Sequence, residues 1–138
     1  MTAFVLDASV ALSWCFEDEA TAAAWAALDR LESDDAAVPA LWSLEMANIL
    51  AAAERRGRLS AARISEFIAL LEGLAIEVDD ETARHALHET LTLARNEGLT
   101  AYDASYLELA MRLGVPLATK DAQLARVAAK LGVAVLEM

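Results

Sequence analysis

Few of the residues that constrain small proteins occur in this chain: one cysteine, two prolines, five glycines and two histidines among 138 residues. A single Cys15 excludes an internal disulfide, and no Cys or His stands at zinc-finger spacing from it, so it reads as core within its Ala/Trp/Phe stretch. The scarcity of Pro and Gly excludes a long linker, and no internal repeat is visible. Aromatics are only 6% while apolar residues reach 57%, much of it alanine, which points to closely packed helices. No apolar window attains the roughly 18 uncharged residues of a membrane span. The apolar start from Ala3 to Phe16 has no basic region before it and carries Asp7 in its middle, unlike a secretory signal, so a cytoplasmic protein is expected. Positive charge is scarce too: 11 Lys and Arg face 22 Asp and Glu, a net charge of −11. That balance excludes a general electrostatic grip on nucleic acid unless the acids are gathered or neutralised by cations. The length suits a single domain over residues 1–138.

What is present is an alternation of short apolar runs with longer helical patterns. The runs Ala3 to Leu6, Ala37 to Pro39, Ala75 to Val78, Pro116 to Thr119 and Val133 to Leu136 lack polar alternation, as strands buried on both faces do. Between them, helices are expected over Glu19 to Asp34, Leu41 to Arg56, Ser60 to Leu71, Asp80 to Asn96, Thr100 to Leu113 and Asp121 to Leu131. Gly57, Gly73, Gly98, Gly114 and Gly132 each follow one of these helices, as left-handed stops would. The expected fold is α/β, a mostly parallel central sheet of four to five strands flanked by helices on both faces.

Four acids fall at telling places. Asp7 closes the first strand and Asp121 follows the fourth, which in a parallel sheet sets both at the carboxyl edge where such sheets bind ligands. Each also suits a helix cap. Glu45 interrupts the apolar stripe of its helix, between Leu41 and Ile49, with no Lys or Arg one turn away to pair with it; the bland alternative is an acid at the rim of the stripe. Asn48, one turn on, shares its face. Asp103 stands third after Thr100, the form of a capping box. If the four meet, like charges about 4 Å apart cost about 4 kcal/mol per pair at an effective dielectric near 20, so a cation must cancel the repulsion. Oxygen-only ligands favour Mg²⁺ or Mn²⁺ over Zn²⁺, and such a site suits phosphodiester hydrolysis. His85 and His88 share a face with Glu81 but lack further ligands. Trp14, Trp25 and Trp42 read as core.

Asp7-Ala8-Ser9, Glu45-x-x-Asn48, Tyr102-Asp103-Ala104 and Thr119-x-Asp121, in this order, resemble the PIN-domain ribonucleases, above all the VapC toxins of toxin–antitoxin pairs, over essentially the whole chain. The resemblance implies a PIN-like fold, a Mg²⁺ (or Mn²⁺) site, endonucleolytic cleavage of RNA and inhibition by a small VapB-like antitoxin, with a homodimer as the usual assembly. It makes Asp7, Glu45, Asp103 and Asp121 the catalytic acids, Ser9, Asn48 and Thr119 their supports, and Asp7 and Asp103 the direct metal ligands. Arg55, Arg56, Arg58 and Arg63 around Gly57, with Lys120, are then the candidates for RNA phosphates; a solvated helix end is the alternative. One or two of the tryptophans would line a groove for the antitoxin or a dimer partner. The competing reading is a non-catalytic acidic α/β interaction module such as a phospho-receiver domain. It would need its acceptor at Asp79 or Asp80, after the third strand, and leaves Glu45 and Asp103 without a role.

Overall fold

Phe4, Val5 and Leu6 have no exposed surface, and the sheet is built outward from them. In the computed structural model, which describes residues 2–16 and 18–138, they belong to β1 (Thr2–Leu6). The chain continues through α1 (Ala8–Ser13), α2 (Ala22–Arg30), β2 (Asp35–Val38), α3 (Trp42–Arg55), α4 (Ala61–Glu72) and β3 (Ile76–Val78). Then come α5 (Thr82–His85), a π-helical turn (Ala86–Thr90), α6 (Leu91–Glu97), α7 (Ala101–Leu113), β4 (Leu117–Thr119), α8 (Ala122–Lys130) and β5 (Val135–Glu137). All pairings are parallel, in the order β3-β2-β1-β4-β5. The α/β fold expected from the alternation of elements is therefore found, as a five-stranded all-parallel sheet flanked by helices.

That order has a functional consequence. From β1 the chain winds to one side through β2 and β3, then returns to the other side through β4 and β5. The strand order thus reverses between β1 and β4, and the crevice beyond their carboxyl ends is the switch point at which open α/β sheets take their ligands.

Local chemistry explains most boundaries. Thr21, Ser60, Thr100 and Asp121 each accept a hydrogen bond from the backbone N–H three residues on, and α2, α4, α7 and α8 start there. Helix α8 buries Leu124, Val127 and Ala128, an i, i+3, i+4 stripe against the β4 side of the sheet. Gly114 adopts φ 67°, and the next N–H, of Val115, reaches back to Ala110 O, turning the chain directly into β4.

Four differences from the sequence-based expectation stand out. Gly73 has φ −85° and is not a left-handed stop; α4 ends there with right-handed geometry. The run after Leu6 winds immediately into the short α1, which apolar continuity from Ala3 to Phe16 concealed. The single helix expected over Asp80 to Asn96 is divided by the π turn, which adds a residue to the winding and rotates α6 relative to α5. Strand β3 is an edge strand with Glu77 and Val78 exposed, so it is not buried on both faces.

Candidate active site

The pairing of β1 with β4 carries Asp7 and Thr119 to neighbouring positions at the switch point. Asp7 N–H donates to Ala118 O at 3.0 Å, continuing the ladder one residue past β1. Asp7 precedes α1 but makes no capping bond with its side chain. Its carboxylate instead accepts two hydroxyl hydrogen bonds on Oδ2, from Thr119 Oγ1 at 2.6 Å and from Ser9 Oγ at 2.8 Å. The same hydroxyls brace the next loop, since Thr119 Oγ1 accepts from Asp121 N–H and Ser9 Oγ from Lys120 N–H. Ser9 and Thr119 therefore support Asp7.

The other three acids arrive from separate elements. Asp121 caps α8, its Oδ1 accepting from Leu124 N–H at 2.9 Å. Asp103 lies in the first turn of α7, where Thr100 Oγ1 accepts from its N–H; the return bond that would complete a capping box is absent, so its carboxylate is not spent on the cap. Glu45 comes from α3 and accepts a hydrogen bond on Oε1 from the phenol of Tyr106 at 2.5 Å.

The four share one electrostatic environment. Burial pushes the Asp7 carboxyl above its ordinary value, against its hydroxyl partners, and the charge of Asp121 pushes it further. Glu45 is raised first by burial and then by Asp7 and Asp103, with Tyr106 opposing. Asp103 is raised by burial, then by Asp121 and Asp7. Among the described residues no Lys, Arg or His forms an ion pair with any of the four. They are close enough to repel, yet among the described residues no group of three His, Cys, Asp or Glu side chains is drawn in tightly enough to cage a metal ion.

Tyr106 was not anticipated. It is completely buried, and its hydroxyl stays protonated because burial and the Glu45 carboxylate drive its titration upward, with a backbone interaction at Ala8 working the other way. Its position one turn after Asp103 was the available signal, since i and i+3 share a helix face.

A groove of about 460 Å³ leads away from Ser9, lined among others by Asn48, Arg56, Arg58 and Lys120. Arg58 stacks on Phe16 at 4.4 Å and pairs with Asp18, and Lys120 Nζ donates to Glu19 O. Arg63 pairs with Glu66 and opens onto a different hollow beside Cys15 and Arg58. Arg55 is exposed at the end of α3 and lines neither. The larger hollow, about 710 Å³, lies away from the acids and includes His85, His88, Glu89, Glu108 and Arg112. Volume therefore does not mark the chemistry. Glu81 is not among its lining, and it pairs instead with Arg84.

A parallel α/β sheet with acids from β1, α3, α7 and the β4–α8 junction at its switch point defines a class of carboxylate-centred proteins. The chain belongs to the PIN-domain family, whose model matches residues 4–130. PIN domains are generally nucleases and usually bind divalent metals. The family assignment displaces the phospho-receiver alternative, and Asp79, one of the two acceptors open to it, is taken up by Arg112. No match was found among curated proteins. Among solved structures, the chain is similar to PAE2754 from Pyrobaculum aerophilum, at 26% identity and TM-score 0.69, covering 98% of this chain and 91% of that one. It shares its fold with FitAcB from Neisseria gonorrhoeae (21% identity, TM-score 0.62, covering 97% and 96%). The same holds for VapBC2 from Rickettsia felis, bound to a DNA fragment from their promoter (11% identity, TM-score 0.69, covering 99% of each).

Proposed function

We propose that this chain is a Mg²⁺- or Mn²⁺-dependent endoribonuclease that hydrolyses RNA phosphodiester bonds, the toxin of a VapBC-type pair. The observation that carries the reading is the convergence of Asp7, Glu45, Asp103 and Asp121, from four elements, with no cationic side chain among the described residues paired to them. The donors are all oxygens, which fits a hard dication, with Asp7 and Asp103 as its direct ligands and Glu45 and Asp121 completing the charge around it. When bound, the ion supplies the positive charge that polarises a phosphoryl oxygen and acidifies water.

The remaining work belongs to the chain's own residues. Ser9 and Thr119 fix the plane of Asp7 through Oδ2, and the α8 cap fixes Asp121. Asn48, Arg56, Arg58 and Lys120 line the groove next to Ser9, where RNA phosphates flanking the scissile bond would lie. Arg55 and Arg63, on neighbouring surface, extend that basic margin. The antitoxin rests on the family resemblance and on the likeness to the FitAcB and VapBC2 structures, and the homodimer on the resemblance alone. Trp25, 42% exposed on α2, is the tryptophan available to such a partner, whereas Trp14 and Trp42 are buried. We read the chain as one cytoplasmic domain; among the described residues no helix is long and apolar enough to cross a membrane.

The test is cleavage of a transcript pool with mapped ends, with Mn²⁺, with EDTA, and with Asp103→Asn. Cleavage should need the dication and fall at least about 100-fold in the variant, at nearly unchanged thermal stability. EDTA-resistant cutting, or an Asp103→Asn enzyme of full rate, would defeat the assignment.

A further inference from the structure

We propose that Tyr106 is a positioning residue for this site: its buried phenol hydroxyl holds the carboxylate of Glu45 in the orientation that faces Asp7 and Asp103. The inference rests on the dication-dependent nuclease reading above and adds to it a residue outside the four acids.

Glu45 extends from α3 toward a place where two other carboxylates repel it. A flexible side chain under that repulsion swings away unless something restrains it. Tyr106 is the single hydrogen-bonding partner of Glu45 among the described residues, and it donates across 61 residues of sequence, joining α3 to the helix that carries Asp103. One hydroxyl thus links the two helices that bear Glu45 and Asp103.

The choice of donor matters. An Arg or Lys in this place would neutralise Glu45 and compete with a dication for its charge. A neutral phenol supplies direction without cancelling charge. Because it occupies Oε1, Oε2 is left without a partner among the described residues. The hydroxyl is fully enclosed, so water cannot replace it.

The experiment measures Mn²⁺ binding by calorimetry, without substrate, for the wild type, Tyr106→Phe, Glu45→Ala and the double variant. Tyr106→Phe keeps the buried ring and removes one oxygen. It should weaken Mn²⁺ about 10-fold, as loss of a group orienting a metal ligand does. In the Glu45→Ala background the same change should have no further effect, which a general loosening of the core would not reproduce. Wild-type affinity in Tyr106→Phe, or an equal loss in both backgrounds, overturns the role of Tyr106 and leaves the nuclease reading standing. A wild type that takes up no Mn²⁺ removes both. Should Tyr106→Phe not fold, proton NMR of the wild type decides. A slowly exchanging tyrosine hydroxyl signal lost in Glu45→Ala supports the contact, and its absence overturns it.

Discussion

Asp121 shows how one side chain can serve both folding and chemistry, and how the two separate. Its carboxylate caps α8 through Leu124 N–H while adding its charge to the environment of Asp7 and Asp103. Asparagine caps as well as aspartate does, but carries no charge. Asp121→Asn should therefore leave the unfolding midpoint in urea nearly unchanged, while Asp121→Ala costs about 1 kcal/mol. Both should lose cleavage to a similar degree. A variant pair whose activity tracks stability would reduce Asp121 to a cap. Asp7 carries the opposite cost. Its folded-state carboxyl is raised, so ionising it at neutral pH opposes folding: this penalty sets in as pH rises above the ordinary aspartate value and is complete above the raised one. Asp7→Asn should accordingly raise the melting temperature at pH 7 in the absence of metal, and lose that advantage below about pH 4. A melting temperature unchanged at neutral pH would contradict the burial and repulsion described for this group.

Among the elements, α7 does the most. It carries Asp103 in its first turn, Tyr106 in its buried face and Arg112 in its last turn. Arg112 binds Asp79 through two nitrogens, at 2.7 and 3.0 Å, and Glu108 through two more hydrogen bonds, at 2.9 and 3.0 Å. This network pins α7 to the end of β3 and compensates the buried Glu108. Arg112 holds the Asp79 carboxyl below its ordinary range. A depressed carboxylate stabilises the fold above its unfolded value and loses that contribution as pH falls through its folded value. Arg112→Met should cost about 3 kcal/mol at pH 7, because it strands the buried Glu108 and the half-buried Asp79. The cost should shrink below about pH 4 as Asp79 takes up its proton. Denaturant melts of wild type and variant at the two pH values check both the size and its pH dependence.

At the scale of the molecule, the acidity stands against nucleic-acid chemistry until position resolves it. With 22 acids and 11 basic residues the long-range field repels phosphate, but the groove beside the acids collects Arg56, Arg58 and Lys120. Replacing these three with glutamine should flatten the salt dependence of RNA binding, by roughly one power of salt for each phosphate no longer neutralised, without altering the metal requirement. An unchanged slope would place the RNA elsewhere. Mn²⁺ should also stabilise the folded chain, by about 2.7 kcal/mol at a hundredfold excess over its dissociation constant. Calorimetric melts with and without the ion read this directly, and Asp7→Asn should lose most of the gain.

The α/β order, the helix starts at Ser60, Thr100 and Asp121, and the placing of acids at strand ends and in first helical turns were legible in the linear chain, because caps and apolar runs are local features. The start of α2 at Thr21 was not, and the buried face of α3 runs through Trp42, Met46 and Leu50, with Glu45 at its rim and Ile49 exposed. Boundaries erred where local signals were silent or ambiguous. Only Asp7, read there chiefly as a strand end, marks the start of α1, and the π turn at Ala86–Thr90 leaves no trace in an amphipathic pattern. The strand order, and with it the meeting of Asp7 and Thr119 across 112 residues, was settled only by packing. So were the bond from Tyr106 to Glu45 and the grip of Arg112 on Asp79, at separations of 61 and 33 residues. A residue's type and neighbours specify its chemical capacity; its partner is chosen by the burial of distant segments against one another, which no short stretch of chain encodes.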